Sequence, residues 1–175
     1  MTEAQLSNAM DAYGSTVYRL ALTRMQNIAD AEDVYQEVFL RLWKQAAEDW
    51  DGDRAKAWLI RTTLNRCADL HRFRLRRPVL SFAEIPDLAQ PEDERRELWE
   101  AVSRLPEKAR TAVHLYYAEG YSAEEISHLM HIPAATVRTR LHRARKQLKE
   151  LLGGIDDETC VSRSDGTNFG PQRAE

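Results

Sequence analysis

The sequence predicts an all-α protein made of two small helical domains joined by a flexible linker. Apolar residues recur at spacings of three and four along most of the chain, which is the period of an amphipathic helix. The segment PVLSFAEIPDLAQP, from Pro78 to Pro91, breaks this pattern because it has three prolines and no apolar stripe. We therefore predict an N-terminal domain at 1–78, a linker at 79–91 and a C-terminal domain at 92–152. The remaining segment, 153–175, is rich in Gly, Ser and Asp and is expected to be disordered.

The N-terminal domain is predicted to contain three helices. The second begins near Asp30, which is a favourable N-cap residue. The Asp-Gly pair in WDGDR is a turn signal, and a third helix is expected from about Ala55 to Arg76, with Pro78 closing it. The residues expected to face the core are Leu6, Met10, Tyr13, Val17 and Leu20, then Val34, Val38 and Leu42, and then Ile60, Leu64, Cys67 and His71.

The C-terminal domain begins with two predicted helices. Leu98, Val102 and Leu105 form the apolar stripe of the first. Pro106 suits the first turn of the second, which is expected to end at Gly120.

The segment that follows fits a helix-turn-helix. Ser122 and Glu125 have the spacing of a capping box, in which each side chain bonds to the backbone N–H of the other residue. The turn is predicted at His131, Ile132 and Pro133, and a second helix opens at Ala134 or Ala135. Its apolar stripe, which should be buried against the preceding helices, consists of Val137, Leu141, Ala144, Leu148 and Leu151.

Charge is segregated along the chain, although the formal net charge is only -3. The stretch from Ala29 to Asp51 has seven acidic residues against two basic ones, whereas Arg61 to Arg77 has six arginines against one acid. Between Ala134 and Lys149 there are six basic residues and no acid. The blocks predict two cationic surfaces for nucleic acid and an acidic surface for another partner. The alternative for any single block is an ordinary solvated face.

Several classes of protein are not indicated. No apolar run approaches the roughly 20 residues of a membrane helix, and the N-terminus lacks the pattern of a signal peptide, so we expect a cytoplasmic protein. Cys67 and Cys160 form no CxxC pair, and the motifs of nucleotide-binding loops, hydrolases and zinc proteases are missing. Cys67 and His71 could share a metal, but their place on the apolar stripe favours a core position. We predict no enzymatic activity, cofactor or metal.

The second helix of the helix-turn-helix is expected to lie in the major groove of DNA. With its apolar stripe packed inward, the polar residues of its N-terminal half can meet base edges, where arginine bonds guanine in bidentate fashion. Arg138 and Arg143 are expected to read bases, whereas Arg140, Arg145 and Lys149 are better placed for phosphates or solvent. The alternative is a cationic amphipathic helix with a solvated face. The residues predicted to contact DNA here are Thr136, Arg138, Thr139, Arg140, His142, Arg143 and Lys146.

These residues resemble a known family. The segment YAEGYSAEEISHLMHIPAATVRTRLHRARKQL is similar to the minus-35-reading domain of extracytoplasmic-function sigma factors of bacterial RNA polymerase, with the signature at Thr136 to Arg145. The upstream segments DAEDVYQEVFLRLWK and AWLIRTTLNRCADLHRFRLRR resemble the family's domain that binds polymerase and opens the minus-10 element. The likeness covers about residues 10–152. His131 and Ala135 stand where the family commonly has glycine, so His131 is expected in the left-handed conformation.

The resemblance implies two further sets of site residues. The surface that docks on the clamp coiled coil of core polymerase is expected at Asp33, Gln36, Glu37, Phe39 and Trp43, although the two aromatic residues could equally belong to the core. Bases flipped from the melted minus-10 strand would be held by stacking, amide hydrogen bonds and phosphate contacts. An intrahelical network of Asn65, Asp69 and Arg72 is the alternative for part of this face. The minus-10 residues are Trp50, Trp58, Arg61, Thr62, Asn65, Arg66, Arg72, Arg74, Arg76 and Arg77.

The family likeness implies an alternative sigma factor that binds core RNA polymerase and promoter DNA, associates with the nucleoid through polymerase, and is held inactive by an anti-sigma factor. One alternative is a helix-turn-helix regulator that never engages polymerase. The N-terminal half argues against a response regulator, because it lacks alternating strands and a phosphoacceptor Asp after a strand. A second alternative is an adaptor or anti-sigma protein that acts through protein contacts alone, but such a protein has no use for a basic recognition helix.

Overall fold

The computed structural model describes residues 2–45, 52–76 and 93–153. These residues contain helices and no strand, which confirms the predicted all-α class. The predicted linker at 79–91, the tail beyond Gly153, Trp50 and Arg77 all lie outside the described residues. The helices are α1 (Glu3–Met25), α2 (Ile28–Lys44), α3 (Gly52–Arg76), α4 (Asp93–Ser103), α5 (Glu107–Val113), α6 (Ala123–Met130) and α7 (Ala134–Leu151), with a π-helical segment at His114–Ala118 after α5. No helix in the described ranges is both long and apolar enough to cross a bilayer.

Helices α1, α2 and α3 pack on one another and form the N-terminal unit. The residues that fill its core include Val17, Val34, Val38, Leu42 and Cys67. Burial of the Cys67 thiol raises its pKa to about 12, because the thiolate is poorly solvated there. The prediction that Cys67 is a core residue is therefore confirmed.

The start of α2 differs from the prediction. Asn27, rather than Asp30, is the N-cap, and its side-chain oxygen accepts a hydrogen bond from the backbone N–H of Asp30 at 3.0 Å. Asp30 is instead buried in the first turn of α2 and pairs with Arg74 at the C-terminal end of α3. Asn27 was not considered as the cap, although asparagine is a favourable N-cap residue, and α2 therefore starts three residues earlier than predicted.

Helices α4 to α7 form the C-terminal unit, whose core includes Leu115, Ile126, Val137 and Leu141. The predicted stripe of Leu98, Val102 and Leu105 is partly wrong. Leu105 is buried just after α4 ends and Val102 is half-buried, but Leu98 remains 48% exposed, and Ala101 is buried instead. In α7 the stripe is buried from Val137 through Ala144, after which Leu148 is half-buried and Leu151 is 37% exposed. The last turn of α7 extends past the helices that cover its first half.

The helix-turn-helix forms as predicted. The Ser122 hydroxyl accepts from the backbone N–H of Glu125 at 3.2 Å, and the Glu125 carboxylate accepts from the backbone N–H of Ser122 at 2.8 Å. His131 adopts the left-handed conformation, with φ of 52°, and so ends α6 sharply. Pro133 then precedes the first turn of α7. The unit that presents α7 is therefore built from local capping as well as from core packing.

The two units pack directly against each other. Leu20 of α1 and Ile60 and Leu64 of α3 belong to the hydrophobic cluster of the C-terminal unit. Trp99 of α4 packs in turn against the cluster of the N-terminal unit. The interface between them, which we call the interunit interface, is therefore continuous with both cores.

Candidate nucleic-acid interface

One face of α7 presents the polar and basic residues of the predicted minus-35 site. Arg138, Thr139, His142, Arg143 and Lys146 are exposed, because Val137, Leu141 and Ala144 turn the opposite face into the core. Thr136 and Arg140 are half-buried at the margin of this face. The structure thus places the predicted base-reading residues on the solvent side of one helix, as a recognition helix requires.

The two arginines expected to read bases differ in their surroundings. Arg138 forms an ion pair with Glu124 of α6, and both side chains are well exposed. Arg143, in contrast, makes no ion pair or hydrogen bond within the part of the chain that the structure describes. Glu124 was not singled out by the sequence analysis, since nothing local shows that α6 and α7 bring residues 124 and 138 together. Of the two arginines, only Arg138 is therefore paired within the described ranges.

The predicted minus-10 site occupies a second face, on α3. Arg61 and Asn65 are exposed and Thr62 is half-buried, and Asn65 lies about one helical turn from each of the other two. Trp58 is half-buried and packs against the core of the N-terminal unit, and Arg66 is half-buried beside it in the chain. The face offers the exposed amide of Asn65 and the guanidinium of Arg61, which are among the kinds of group that hold unstacked bases.

The alternative for this face, an intrahelical network of Asn65, Asp69 and Arg72, is present in part. Asp69 and Arg72 form an exposed ion pair three residues apart in α3. With Arg66, Leu70 and Phe73 they line a shallow depression on the surface. Phe73 is 57% exposed and was not predicted to take part in the site, although it lies one turn beyond Asp69. Asp69 therefore pairs with Arg72, while Asn65 makes no hydrogen bond to either residue.

Arg74 is engaged inside the protein and is not presented to DNA in this arrangement. Its guanidinium pairs with Asp30, whose side chain is 5% exposed. Burial raises the pKa of Asp30, and the positive charge of Arg74 opposes that rise. The pair holds the C-terminal end of α3 against the start of α2. Nothing is described of the side chain of Arg76, and Arg77 lies outside the described residues.

The acidic surface on α2 carries the residues predicted to meet polymerase. Asp33, Gln36 and Trp43 are exposed, and the guanidinium of Arg41 donates to Glu37 at 3.0 Å. Phe39 is 4% exposed, so it is a core residue and not an exposed anchor. Its ring lies 4.8 Å from that of Tyr35, measured between centroids.

Sequence reasoning missed one residue of this surface. Leu40 is 53% exposed and lies between Gln36 and Trp43 on the same face of α2. The sequence spacing already indicated that Leu40 is exposed, because it falls outside the stripe of Val34, Val38 and Leu42 and is four residues from Gln36. An exposed leucine beside an exposed tryptophan forms a small apolar patch amid acidic residues, as a protein-binding surface does.

No group of three or more His, Cys, Asp or Glu side chains that could bind a metal is found in the described ranges. The candidate site consists of three exposed surfaces, on α2, α3 and α7.

Comparison with known proteins identifies the family. The model of sigma-70 region 2 matches residues 9–77, and that of sigma-70 region 4 matches residues 95–148. The ECF RNA polymerase sigma factor SigM of Bacillus subtilis is 31% identical over 83% of this chain and 94% of its own length. The RNA polymerase sigma factor CarQ of Myxococcus xanthus is 35% identical over 79% of this chain and 84% of its own length. The chain belongs to the ECF sigma factors of RNA polymerase.

Relatives of greater length are matched only in part. The ECF sigma factor SigE of Mycolicibacterium smegmatis is 34% identical over 86% of this chain, which spans 62% of that relative. The chain spans 39% of the probable sigma factor RfaY of Xanthomonas campestris.

Solved structures have the same fold. The sigma factor RpoE of Bartonella quintana, solved in complex with the anti-sigma factor NepR, superposes with a TM-score of 0.73 over 87% of this chain and 99% of that chain, at 23% identity. The protein CnrH, solved with the cytosolic domain of CnrY, gives a TM-score of 0.61 over 89% of this chain at 25% identity.

Proposed function

We propose that this chain is an alternative sigma factor that binds core RNA polymerase, directs it to specific promoters and nucleates strand opening. The observation that carries the proposal is the presence of three separate surfaces on one chain of this family. The acidic and apolar face of α2 is suited to a basic protein surface, and the faces of α3 and α7 are suited to nucleic acid. A DNA-binding regulator would need only the last of these.

The three surfaces have distinct roles in this proposal. The residues of α2, with Leu40 and Trp43 as apolar anchors, contact the clamp coiled coil of polymerase. Residues of α3 capture bases of the melted minus-10 strand, and α7 reads the minus-35 element in the major groove. The N-terminal domain at 1–78 and the C-terminal domain at 92–152 divide these tasks, and the linker at 79–91 joins them. Strand opening needs no catalytic residue, because binding energy for the unpaired strand offsets a few kcal/mol per unstacked base.

An anti-sigma factor is the expected regulator. RpoE, which shares the fold, was solved with the anti-sigma factor NepR, and CnrH was solved with the cytosolic domain of CnrY. By analogy, a protein partner that covers the polymerase-binding or DNA-binding surfaces would hold this chain inactive, and release would let it act at the nucleoid through polymerase.

Binding to core polymerase separates the sigma factor from a helix-turn-helix regulator that never engages it. Leu40→Glu places a charge in the patch on α2 and should weaken binding of the full chain to purified core polymerase by about tenfold or more. Leu98→Glu is the matched control, because Leu98 on α4 is 48% exposed and Leu40 is 53% exposed. No measurable binding of the unaltered chain would favour the regulator.

A further inference from the structure

Packing in the core of the N-terminal unit holds α3 only as far as Cys67. Leu59 and Cys67 are 1% and 0% exposed, whereas beyond Cys67 no side chain that the structure describes in α3 is buried. Leu70 packs against this core but is half-buried, and His71 approaches Glu107 of α5 only to 3.8 Å, which is beyond hydrogen-bond distance. The last two turns of α3 therefore need another contact to hold them in place.

The ion pair between Asp30 and Arg74 provides that contact. Arg74 lies seven residues beyond Cys67, or about 10 Å along α3 at 1.5 Å per residue. Asp30 lies in the first turn of α2, where the helix dipole favours a carboxylate. Arg74 lies near the C-terminal end of α3, where the dipole favours a cation. The pair therefore joins two helix ends of opposite polarity.

The carboxylate of Asp30 depends on Arg74 for its counter-charge. The Asp30 side chain is 5% exposed, against 33% for that of Arg74. One carboxylate oxygen, Oδ1, accepts from the Arg74 guanidinium, while Oδ2 makes no hydrogen bond within the described ranges. If Arg74 moved away to contact DNA, a buried charge would lose its cation, which is costly. Burial of Asp30 thus favours a place for Arg74 inside the protein over a contact with DNA.

The other side of the same turns carries side chains of the predicted minus-10 face. The side chain of Arg72 is 69% exposed, and Phe73 is 57% exposed. Each residue turns a helix by about 100°, at 3.6 residues per turn, so Arg72 lies about 200° around the helix axis from Arg74. Holding Arg74 against α2 therefore keeps Arg72 directed into solvent.

We propose that Asp30 and Arg74 are positioning residues for promoter opening. The pair holds the C-terminal turns of α3 against the start of α2, and so it sets the minus-10 face of α3 relative to the polymerase-binding face of α2. In this role the two residues contact neither polymerase nor DNA. The role in opening rests on the proposed function, whereas the restraint on the end of α3 rests on the contacts within the chain.

The first test measures amide hydrogen exchange along α3 in the full chain, without polymerase or DNA. Asp30→Asn keeps the size of the side chain and removes a buried charge, so the variant should fold. Its peptides that cover residues 68–76 should exchange about tenfold faster than those of the unaltered chain, because the end of the helix opens locally more often. Peptides that cover residues 59–67 should keep their rate.

Glu32→Gln is the matched control for this exchange measurement. It removes one negative charge two residues further along α2, at an exposed position, and should leave exchange in α3 unchanged. If Asp30→Asn also leaves the exchange of residues 68–76 unchanged, the pair does not restrain the end of α3, and the proposal is overturned.

The second test measures promoter opening by the holoenzyme formed from purified core polymerase and the full chain. The non-template strand carries 2-aminopurine in the minus-10 element, and its fluorescence rises when the base leaves the stack. Asp30→Asn should lower the opened fraction several-fold and leave the affinity for core polymerase unchanged, and Glu32→Gln should change neither. Unchanged or increased opening by Asp30→Asn would overturn the positioning role. If the unaltered chain opens no promoter, the proposed function fails, whereas the exchange measurement still decides the restraint.

The third test separates positioning by Arg74 from direct contact with DNA. Loss of one phosphate contact reduces the slope of log affinity against log salt concentration by about 0.7–0.9. Arg74→Gln should leave this slope unchanged for holoenzyme binding to the promoter, and it should add no further loss of opening to that of Asp30→Asn. Arg74→Lys retains the cation and should restore most of the opening. A reduced slope together with additive losses would make Arg74 a DNA contact and overturn the proposal.

Discussion

Glu124 of α6 and Arg138 of α7 form an ion pair across the helix-turn-helix, on the face that is proposed to meet the minus-35 element. The pair places the Glu124 carboxylate beside Arg138, which the proposed function assigns to contact with DNA. Because both side chains are exposed, the pair itself contributes at most about 1 kcal/mol to stability. Its consequence is for binding, since Arg138 must leave Glu124 to contact a base or phosphate.

Glu124→Gln should therefore tighten binding to minus-35 duplex about two- to fivefold, by removing both the competing partner and a negative charge from the DNA-facing surface. The measurement is a fluorescence anisotropy titration at fixed salt. Glu150→Gln removes the same charge from the far end of α7 and should have a smaller effect. Weaker binding by Glu124→Gln would mean that Glu124 positions Arg138 for its contact.

Arg143→Ala should weaken promoter binding by about 1–3 kcal/mol and relax the preference at one base pair of the minus-35 element. Arg143 is exposed and has no partner in the described ranges, so the substitution should leave the fold unchanged. Binding to a set of duplexes with single base-pair changes measures the preference. Equal weakening on every duplex would make Arg143 a phosphate contact.

Arg110→Ala should lower the free energy of unfolding by about 3 kcal/mol or more, because it leaves several buried carbonyl oxygens without donors. Arg110→Lys retains a charge but loses the forked geometry and should show a smaller loss. Urea denaturation of the two variants provides the comparison. A loss below 1 kcal/mol for Arg110→Ala would mean that water or neighbouring groups readily replace the guanidinium.

His114 should make the protein less stable as the solution is acidified. Burial lowers the pKa of His114 from 6.5 to about 4, although Glu119 opposes the shift. Between these two values the unfolded chain binds the proton and the folded chain does not, so stability falls as the pH falls. From pH 7 to pH 5 this effect is about 2 kcal/mol at 1.36 kcal/mol per pKa unit.

The measurement is urea denaturation of the unaltered chain and of His114→Gln at pH 7 and pH 5. Other groups titrate in both proteins, so the difference between their pH dependences isolates His114. Identical pH dependences would show that His114 becomes protonated in the folded protein without cost.

The sequence was sufficient for the helix-turn-helix and for most of the N-terminal core, because these depend on local spacing. Met10 and His71 were wrongly expected in that core: Met10 is 36% exposed, and His71 is half-buried. The capping box at Ser122 and the left-handed His131 are both determined within a few residues. The stripe of Val137, Leu141 and Ala144 was enough to orient α7 and so to divide its residues into buried and exposed sets.

The predictions that failed concern contacts between segments that are distant in the sequence. Arg74 was predicted to contact DNA with the other arginines of α3, but it pairs instead with Asp30, which lies 44 residues away in the sequence. Phe39 could not be assigned to core or surface from spacing alone, because it borders the stripe of α2. The interunit interface was not foreseen at all, since no pattern in α1 or α5 shows that Arg110 reaches the end of another helix.

The most direct test of the central claim is run-off transcription with purified core RNA polymerase, the full chain, and a template that contains the region upstream of its own gene. We predict a transcript with one defined start that requires the chain and is reduced by Arg143→Ala and Leu40→Glu, while Leu98→Glu leaves it unchanged. Absence of a specific start, under conditions in which a control sigma factor directs one from its own promoter, would show that the chain does not act as a sigma factor there.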